Sequence, residues 1–336
     1  MSDFQLRITL WSLISKSVAY IKHPKLLQGG LDFSGDSKFM ALAERRDCKD
    51  YISVFECSSW QLCKHFPVAT DDLVGLKWSP DGQVLCIWES MLNYKVMIYS
   101  LDGRCLASYS AYEQALGIKS VTWSPTSQFL AIGSYDQKVR LLNHVTWKTV
   151  AEWSHPQSVD HSNAVVYCEV EKRQPPLRGT GDRLAAALAA GLPPPQSKYE
   201  TRETPVQIAS TKPDPEKPNP KMGVGTVMFS ADNRYLATVN DNMPSTVWIW
   251  EVSKLKLLAL LVQVAAVKSI AWDPLHSRLA VCTASNKLYL WTPEGCVSVA
   301  VRSEGPFNVS RLRWHPDGSS LLLASKTHFC VCYLTE

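Results

Sequence analysis

Ten cysteines and eight histidines are the residues of this chain best suited to metal binding or nucleophilic chemistry. A zinc site needs thiolates or imidazoles in short pairs, because neighbouring ligands must reach one ion. Cys48, Cys57, Cys63, Cys86, Cys105, Cys168, Cys282, Cys296, Cys330 and Cys332 contain no Cys-x-x-Cys pair and no such Cys/His spacing. Cys330 and Cys332 share one face of an apolar run, which suits buried, reduced thiols. The histidines stand singly, at His23, His65, His144, His155, His161, His276, His315 and His328. No glycine-rich phosphate loop, His-Glu-x-x-His, Gly-x-Ser-x-Gly or kinase signature occurs. The expectation is a non-enzymatic protein with no metal, no cofactor and no small-molecule substrate.

What the chain does carry is a repeated phrase. It reads "LDFSGDSKFMALAE" from Leu31, "LKWSPDGQVLCIWE" from Leu76 and "VTWSPTSQFLAIGS" from Val121. It returns as "VMFSADNRYLATVN" from Val227, "IAWDPLHSRLAVCT" from Ile270 and "LRWHPDGSSLLLAS" from Leu312. The anchoring aromatics, Phe33, Trp78, Trp123, Phe229, Trp272 and Trp314, are spaced by 45, 45, 106, 43 and 42 residues. Four of these spacings match the period of about 40–45 residues of a propeller blade. One period holds four short apolar runs separated by turn residues, so it predicts four strands, a to d. A lone four-stranded sheet cannot bury both faces, whereas sheets stacked about an axis can.

The phrase resembles the WD-repeat family, and the fold class expected is an all-β WD-repeat β-propeller. The Trp-Asp pair is eroded to "LWSL", "VFEC", "IYSL", "LLNH", "WIWE" and "LWTP", and the opening Gly-His pair is missing. The Asp–His–Ser–Trp hydrogen-bonding set of regular blades is therefore expected to be incomplete, with more reliance on apolar packing. The expected organisation is a partial blade (strands c and d) over 1–27, three blades over 28–155, an insertion over 156–222, then two complete blades and one lacking strand d over 223–336.

The insertion accounts for the abnormal spacing of 106. Eleven of the twenty prolines fall between Pro156 and Pro220, a composition that predicts a largely disordered segment. Within it, "NAVVYCEVE" from Asn163 reads as a lone strand, and "SKYETRETPVQIAS" from Ser197 alternates well enough to dock onto the barrel. The longest apolar run, eleven residues from Leu257, is too short to span a bilayer, so no membrane insertion is expected. A net charge of +4 makes nucleic acid an unlikely partner.

The insertion and the b–c loops are expected on one rim, where loops on a rigid scaffold present binding residues. Candidates there are Arg45, Arg46 and Lys49 of "ERRDCKD", Tyr94 of "ESMLNY", Tyr135 of "SYDQK" and Asp241 of "NDNMPS". An arginine at such a rim can fork onto a partner carboxylate.

Longer phrases, among them "ALAERRDCKDYISVF", "LGIKSVTWSP", "LNHVTWK" and "LYLWTPEGC", resemble a WD-repeat branch of centriolar satellites and spindle poles. That resemblance implies a cytoplasmic, cytoskeletal adaptor at centrosomes. Its implied roles are spindle assembly, anchoring of spindle microtubules, ciliary vesicle docking and ciliogenesis. The implied partners are a coiled-coil centrosomal or satellite protein and, in fungi, a minus-end-directed kinesin. Members of the branch have more N-terminal blades, which leads to the expectation of an N-terminally shortened form. The alternative is an RNA-binding or ubiquitin-ligase-type substrate-recruiting propeller.

Overall fold

A computed structural model describes residues 7–25, 27–160, 163–171, 197–214, 216–217, 220–301 and 307–334. Among these residues every regular element is a β-strand, in keeping with the WD-repeat β-propeller class. The chain divides into two compact units, Met1–Trp153 and Ser154–Glu336.

In the first unit β1 (Arg7–Trp11) and β2 (Val18–Lys22) form an antiparallel pair. Three four-stranded sheets follow. They are β3 (Leu31–Phe33) to β6 (Leu62–Pro67) through β4 (Phe39–Arg46) and β5 (Lys49–Glu56), β7 (Leu73–Trp78), β8 (Val84–Glu89), β9 (Val96–Ser100) and β10 (Cys105–Tyr109), and β11 (Ile118–Trp123), β12 (Phe129–Ser134), β13 (Lys138–Asn143) and β14 (Thr149–Ser154). Apolar faces of neighbouring sheets share cores: Ile52, Leu76 and Leu85 lie in one, Val96, Val121 and Ile132 in the next. A strand buried on both faces reads as continuously apolar, which is why "FLAIGS" does not alternate.

The repeated serine of the phrase has a structural task. Ser34, Ser79, Ser124 and Ser230 each accept, on Oγ, the backbone N–H five residues on, at 3.0, 3.1, 2.9 and 2.9 Å. Ser34, Ser79 and Ser230 also donate to the aspartate two residues on, which closes the a–b turn. The repeated tryptophan ties successive sheets together. The indole Nε1 of Trp78 donates to Asp32 O at 3.1 Å, Trp272 to Met228 O at 2.9 Å and Trp314 to Ala271 O at 3.0 Å. Each acceptor directly precedes the anchoring aromatic of the repeat before. Trp123 is buried like them, but its Nε1 has no acceptor among the described residues; its ring meets Trp147 edge-on at 6.0 Å. Phe229 is buried, whereas Phe33 is 46% exposed and anchors nothing comparable.

In the second unit the strand read from Asn163 and the docking run read from Ser197 both form, and they do so within the segment read as largely disordered. β15 (Ser158–Val159), β16 (Val165–Glu171), β17 (Ser197–Arg202) and β18 (Val206–Gln207) all lie inside it. β15 pairs with β18, and β16 pairs with β17. β16 also runs parallel to β22 (Lys256–Val262). With β19 (Val224–Phe229), β20 (Tyr235–Asn240) and β21 (Thr246–Glu251) this makes a six-stranded sheet. Residues 161–162, 172–196, 215 and 218–219 of the segment lie outside the described residues.

The docking is held by charge. Lys287, on the next sheet, is buried with its Nζ 2.6 Å from Glu171 and 3.6 Å from Glu169. Glu169 also accepts from Tyr289 Oη at 2.8 Å and from Val264 N at 2.9 Å. Lys287 belongs to β25 (Lys287–Thr292), which lies beside β23 (Ser269–Trp272), β24 (Leu279–Cys282) and β26 (Gly295–Ala300). The last sheet is β27 (Arg311–Trp314), β28 (Ser320–Ala324) and β29 (Phe329–Tyr333).

The regular WD hydrogen-bonding set is remodelled in this protein. In the six-stranded sheet His155 Nε2 and Thr238 Oγ1 are 2.8 Å apart, and Trp250 Nε1 donates to Thr238 at 3.0 Å. In the β11–β14 sheet, where Leu142 takes the tryptophan's place, Arg140 two residues earlier donates to Ser134 Oγ at 3.0 Å and Asp136 Oδ2 at 2.6 Å.

Candidate partner-binding rim

The "ERRDCKD" stretch is a hairpin tip rather than an open loop. β4 and β5 pair out to Arg46 opposite Lys49, leaving Asp47 and Cys48 as a two-residue turn. Both turn residues have positive φ, 50° and 59°, as a tight hairpin demands. Arg46 and Lys49 are exposed cations facing each other across the tip.

Arg45 is committed elsewhere. Its Nη1 donates to Asp50 Oδ1 at 3.0 Å and to Asp71 O at 3.1 Å. The Asp50 carboxylate is fully buried, and it also accepts from Lys25 Nζ at 3.1 Å, Thr70 Oγ1 at 3.0 Å and Leu73 N at 2.7 Å. Lys25 reaches Asp72 as well, at 2.7 Å. The side chain thus fastens the hairpin to the connection between β6 and β7. Arg45 fastens the hairpin through Nη1, a task the sequence reading, which offered its guanidinium as a fork for a partner carboxylate, had not assigned to it.

Tyr94 and Tyr135 are corrected in the same way. Both are buried, not presented on the rim. Tyr94 packs edge-on against Tyr112 at 4.7 Å, and the Arg140 guanidinium lies 5.5 Å from each ring. Burial pushes the Tyr94 phenol well above its ordinary range and that of Tyr112 up to about 12, so both remain neutral. Lys119 covers the Tyr135 ring at 4.8 Å. Asp241 belongs to the second unit. It lines a cleft of about 290 Å³ with Lys221 and Lys268, and its Oδ1 comes within 2.6 Å of where a Cβ on Gly225 would sit.

Arg45 and the Tyr94 loop nevertheless meet on one surface. Asp71, whose carbonyl Arg45 holds, donates its N–H to Glu89 Oε1 at 3.2 Å, and Asn93 donates to Glu89 Oε2 at 2.8 Å. Beside them opens a cleft of about 550 Å³ lined by Asp71, Glu89, Leu92, Tyr94, Tyr112 and Glu113. Sequence reasoning named only Tyr94 of this set. An available signal was the acid that closes the apolar run "VLCIWE".

Among the described residues no group of three His, Cys, Asp or Glu is placed to hold a metal, and no helix is long and apolar enough to cross a membrane. The WD domain, G-beta repeat family matches residues 103–143, which takes in β10 and the β11–β13 strands of the next sheet. WD repeat-containing protein WRAP73 of Mus musculus is 54% identical over 336 residues, covering 99% of this chain and 72% of the mouse protein. The chain belongs to the WD-repeat family. A WD repeat-containing protein of Schizosaccharomyces pombe is 23% identical over 361 residues, covering 100% of this chain and 69% of its own. The Cryptococcus neoformans protein HIR1 is 33% identical over 99 residues, 27% of this chain and 11% of HIR1. WD-repeat domains serve generally as protein-interaction scaffolds, and none of these names denotes an enzyme. As a WD-repeat protein, the chain uses its buried polar groups to fix loops and turns.

Proposed function

We propose that this WD-repeat protein is a non-enzymatic adaptor of centrosomes, centriolar satellites and spindle poles. There it joins a coiled-coil partner, and through it a minus-end-directed motor, to spindle microtubule anchoring, spindle assembly and ciliary vesicle docking. The observation that carries the reading is the extent of likeness, 99% of the chain at 54% identity, to a WD repeat-containing relative. It is supported by the phrases from Ala41 to Phe55 and from Leu142 to Lys148, which resemble the satellite and spindle-pole branch. A loop scaffold fastened by buried ion pairs, with an open cleft beside it, suits protein recognition without chemistry.

Affinity purification of the tagged full chain with mass spectrometry, together with imaging against a centriolar marker, tests the proposal. Recovery of centrosomal coiled-coil proteins and pericentriolar signal are expected. Ribonuclease-sensitive recovery would replace the reading with RNA binding, and recovery of ubiquitin-ligase subunits would replace it with substrate recruitment.

A further inference from the structure

We propose that the tip of the β1–β2 hairpin is a contact for an anionic phospholipid surface, entered by Leu13 and Ile14. This goes beyond the adaptor reading and does not depend on it. One face of the hairpin is seated: Ile8, Leu10 and Ile21 pack with Met40, Leu42 and Phe55 of the β3–β6 sheet. The opposite face and the tip meet solvent, with Leu13 92%, Ile14 97% and Trp11 70% exposed. Backbone hydrogen bonds fix the tip. Ser12 N donates to Ser17 O at 2.9 Å, Lys16 N to Ser12 O at 3.0 Å and Ser15 N to Ser12 Oγ at 3.1 Å. Lys16 takes a positive φ of 57° as the turn closes. Leu13 and Ile14 are therefore held outward, and immersing them costs little further ordering.

The charge on the hairpin is of one sign. From Arg7 to Lys22 there are three cations, Arg7, Lys16 and Lys22, and no acid, a balance of +3 (three minus zero). All three are exposed. The order of side chains along the hairpin follows the gradient of a bilayer interface. Leu13 and Ile14 stand at the tip, the cross-strand pair Trp11 and Val18 comes next, then Thr9 with Tyr20, and Arg7 opposite Lys22 last. Trp11 and Arg7 are four residues apart, about 13 Å along a strand. Apolar groups immerse about 5–10 Å, tryptophan and tyrosine settle at headgroup level, and anionic lipid attracts the cations behind them. Lys16, at the tip itself, snorkels back to the phosphates. A protein partner needs no such order in depth, and a purely apolar one would strand the cations. The contact is shallow and with one leaflet, since a five-residue strand is too short to span.

Cosedimentation of the full chain with vesicles of phosphatidylcholine alone, and with about one third phosphatidylserine, tests the proposal. Partition is expected to be at least about tenfold stronger on the phosphatidylserine vesicles, and to fall as salt screens the charge. Leu13→Ser with Ile14→Ser, at side chains already in solvent, should leave the melting temperature unchanged and reduce partition at least about tenfold. Lys16→Gln with Lys22→Gln should shrink the phosphatidylserine preference to about threefold or less. Equal partition on the two vesicle types overturns the proposal, as does undiminished partition of the tip variant. Light scattering reads the competing occupant. Self-association of the parent that the tip variant abolishes, without vesicle binding, would overturn the proposal in favour of a second copy of the chain.

Discussion

Removing the Asp50 carboxylate should loosen the connection between β6 and β7. Asp50→Ala deprives Leu73 N, Thr70 Oγ1, Arg45 Nη1 and Lys25 Nζ of an acceptor. Lys25 and Arg45 keep Asp72, at 2.7 and 3.5 Å, so the cations are not stranded. Leu73 is buried, and its N–H is left without its partner. An orphaned buried donor costs about 1–3 kcal/mol, and breaking a buried ion pair about 3–5 kcal/mol. Because Asp72 still compensates the cations, the total expected is about 3–4 kcal/mol. Asp50→Asn retains one carbonyl oxygen for Leu73 N and should cost roughly half as much.

Denaturant unfolding measures the sum, but a chain of two compact units need not unfold in one step. Native-state hydrogen exchange of the Leu73 amide is the sharper assay, since it reads the bond that is lost. Its protection should fall by about a hundredfold or more in Asp50→Ala, the equivalent of about 3 kcal/mol. Protection and denaturant midpoint both equal to the parent would show that Asp50 fastens nothing and that "ERRDCKD" is no more than a solvated turn.

Trp78→Phe should destabilise by about 1 kcal/mol more than Trp123→Phe, because only the first sacrifices an indole hydrogen bond; paired urea titrations decide it. Lys287→Met leaves Glu171 and Glu169 without their cation and should cost about 3–5 kcal/mol, seen as faster limited proteolysis within β16 and β17; unchanged proteolysis would refute the latch. The Ser34 hydroxyl, with help from the Lys38 N–H, holds Asp36 at about 2, below the ordinary 3.8. With the folded value depressed, the associated stabilisation is present above pH 3.8 and is lost as pH falls through about 2. Ser34→Ala should move the Asp36 carboxyl NMR midpoint back toward 3.8.

The strands were legible because their cause is local. A period of 42 to 45 residues, an aromatic, a serine turn and two apolar runs repeat wherever the same packing problem repeats. The candidate site was much less legible, because exposure is a tertiary property. Tyr94 and Tyr135 look like rim residues in a loop reading, yet Tyr112, in the connection between β10 and β11, packs on the first and Lys119, on β11, covers the second. Arg45 looks like one of three similar cations, and only the fold shows that it alone is within reach of Asp50.

The insertion shows the same limit from the other side. Composition averages over residues, and prolines dominate the average between 156 and 222. Pairing depends on particular short runs. "VVYCEVE" is apolar over its first four residues, whose backbone edge pairs with β22, and ends in two acids one residue apart, so that Glu169 and Glu171 both reach Lys287. A buried lysine is costly without a carboxylate, and a buried glutamate is costly without a cation. Each charge therefore supplies what the other lacks, across sheets far apart in sequence. The pairing explains how two strands within a proline-rich segment stay docked, and also why neither partner could be identified before the other was in place.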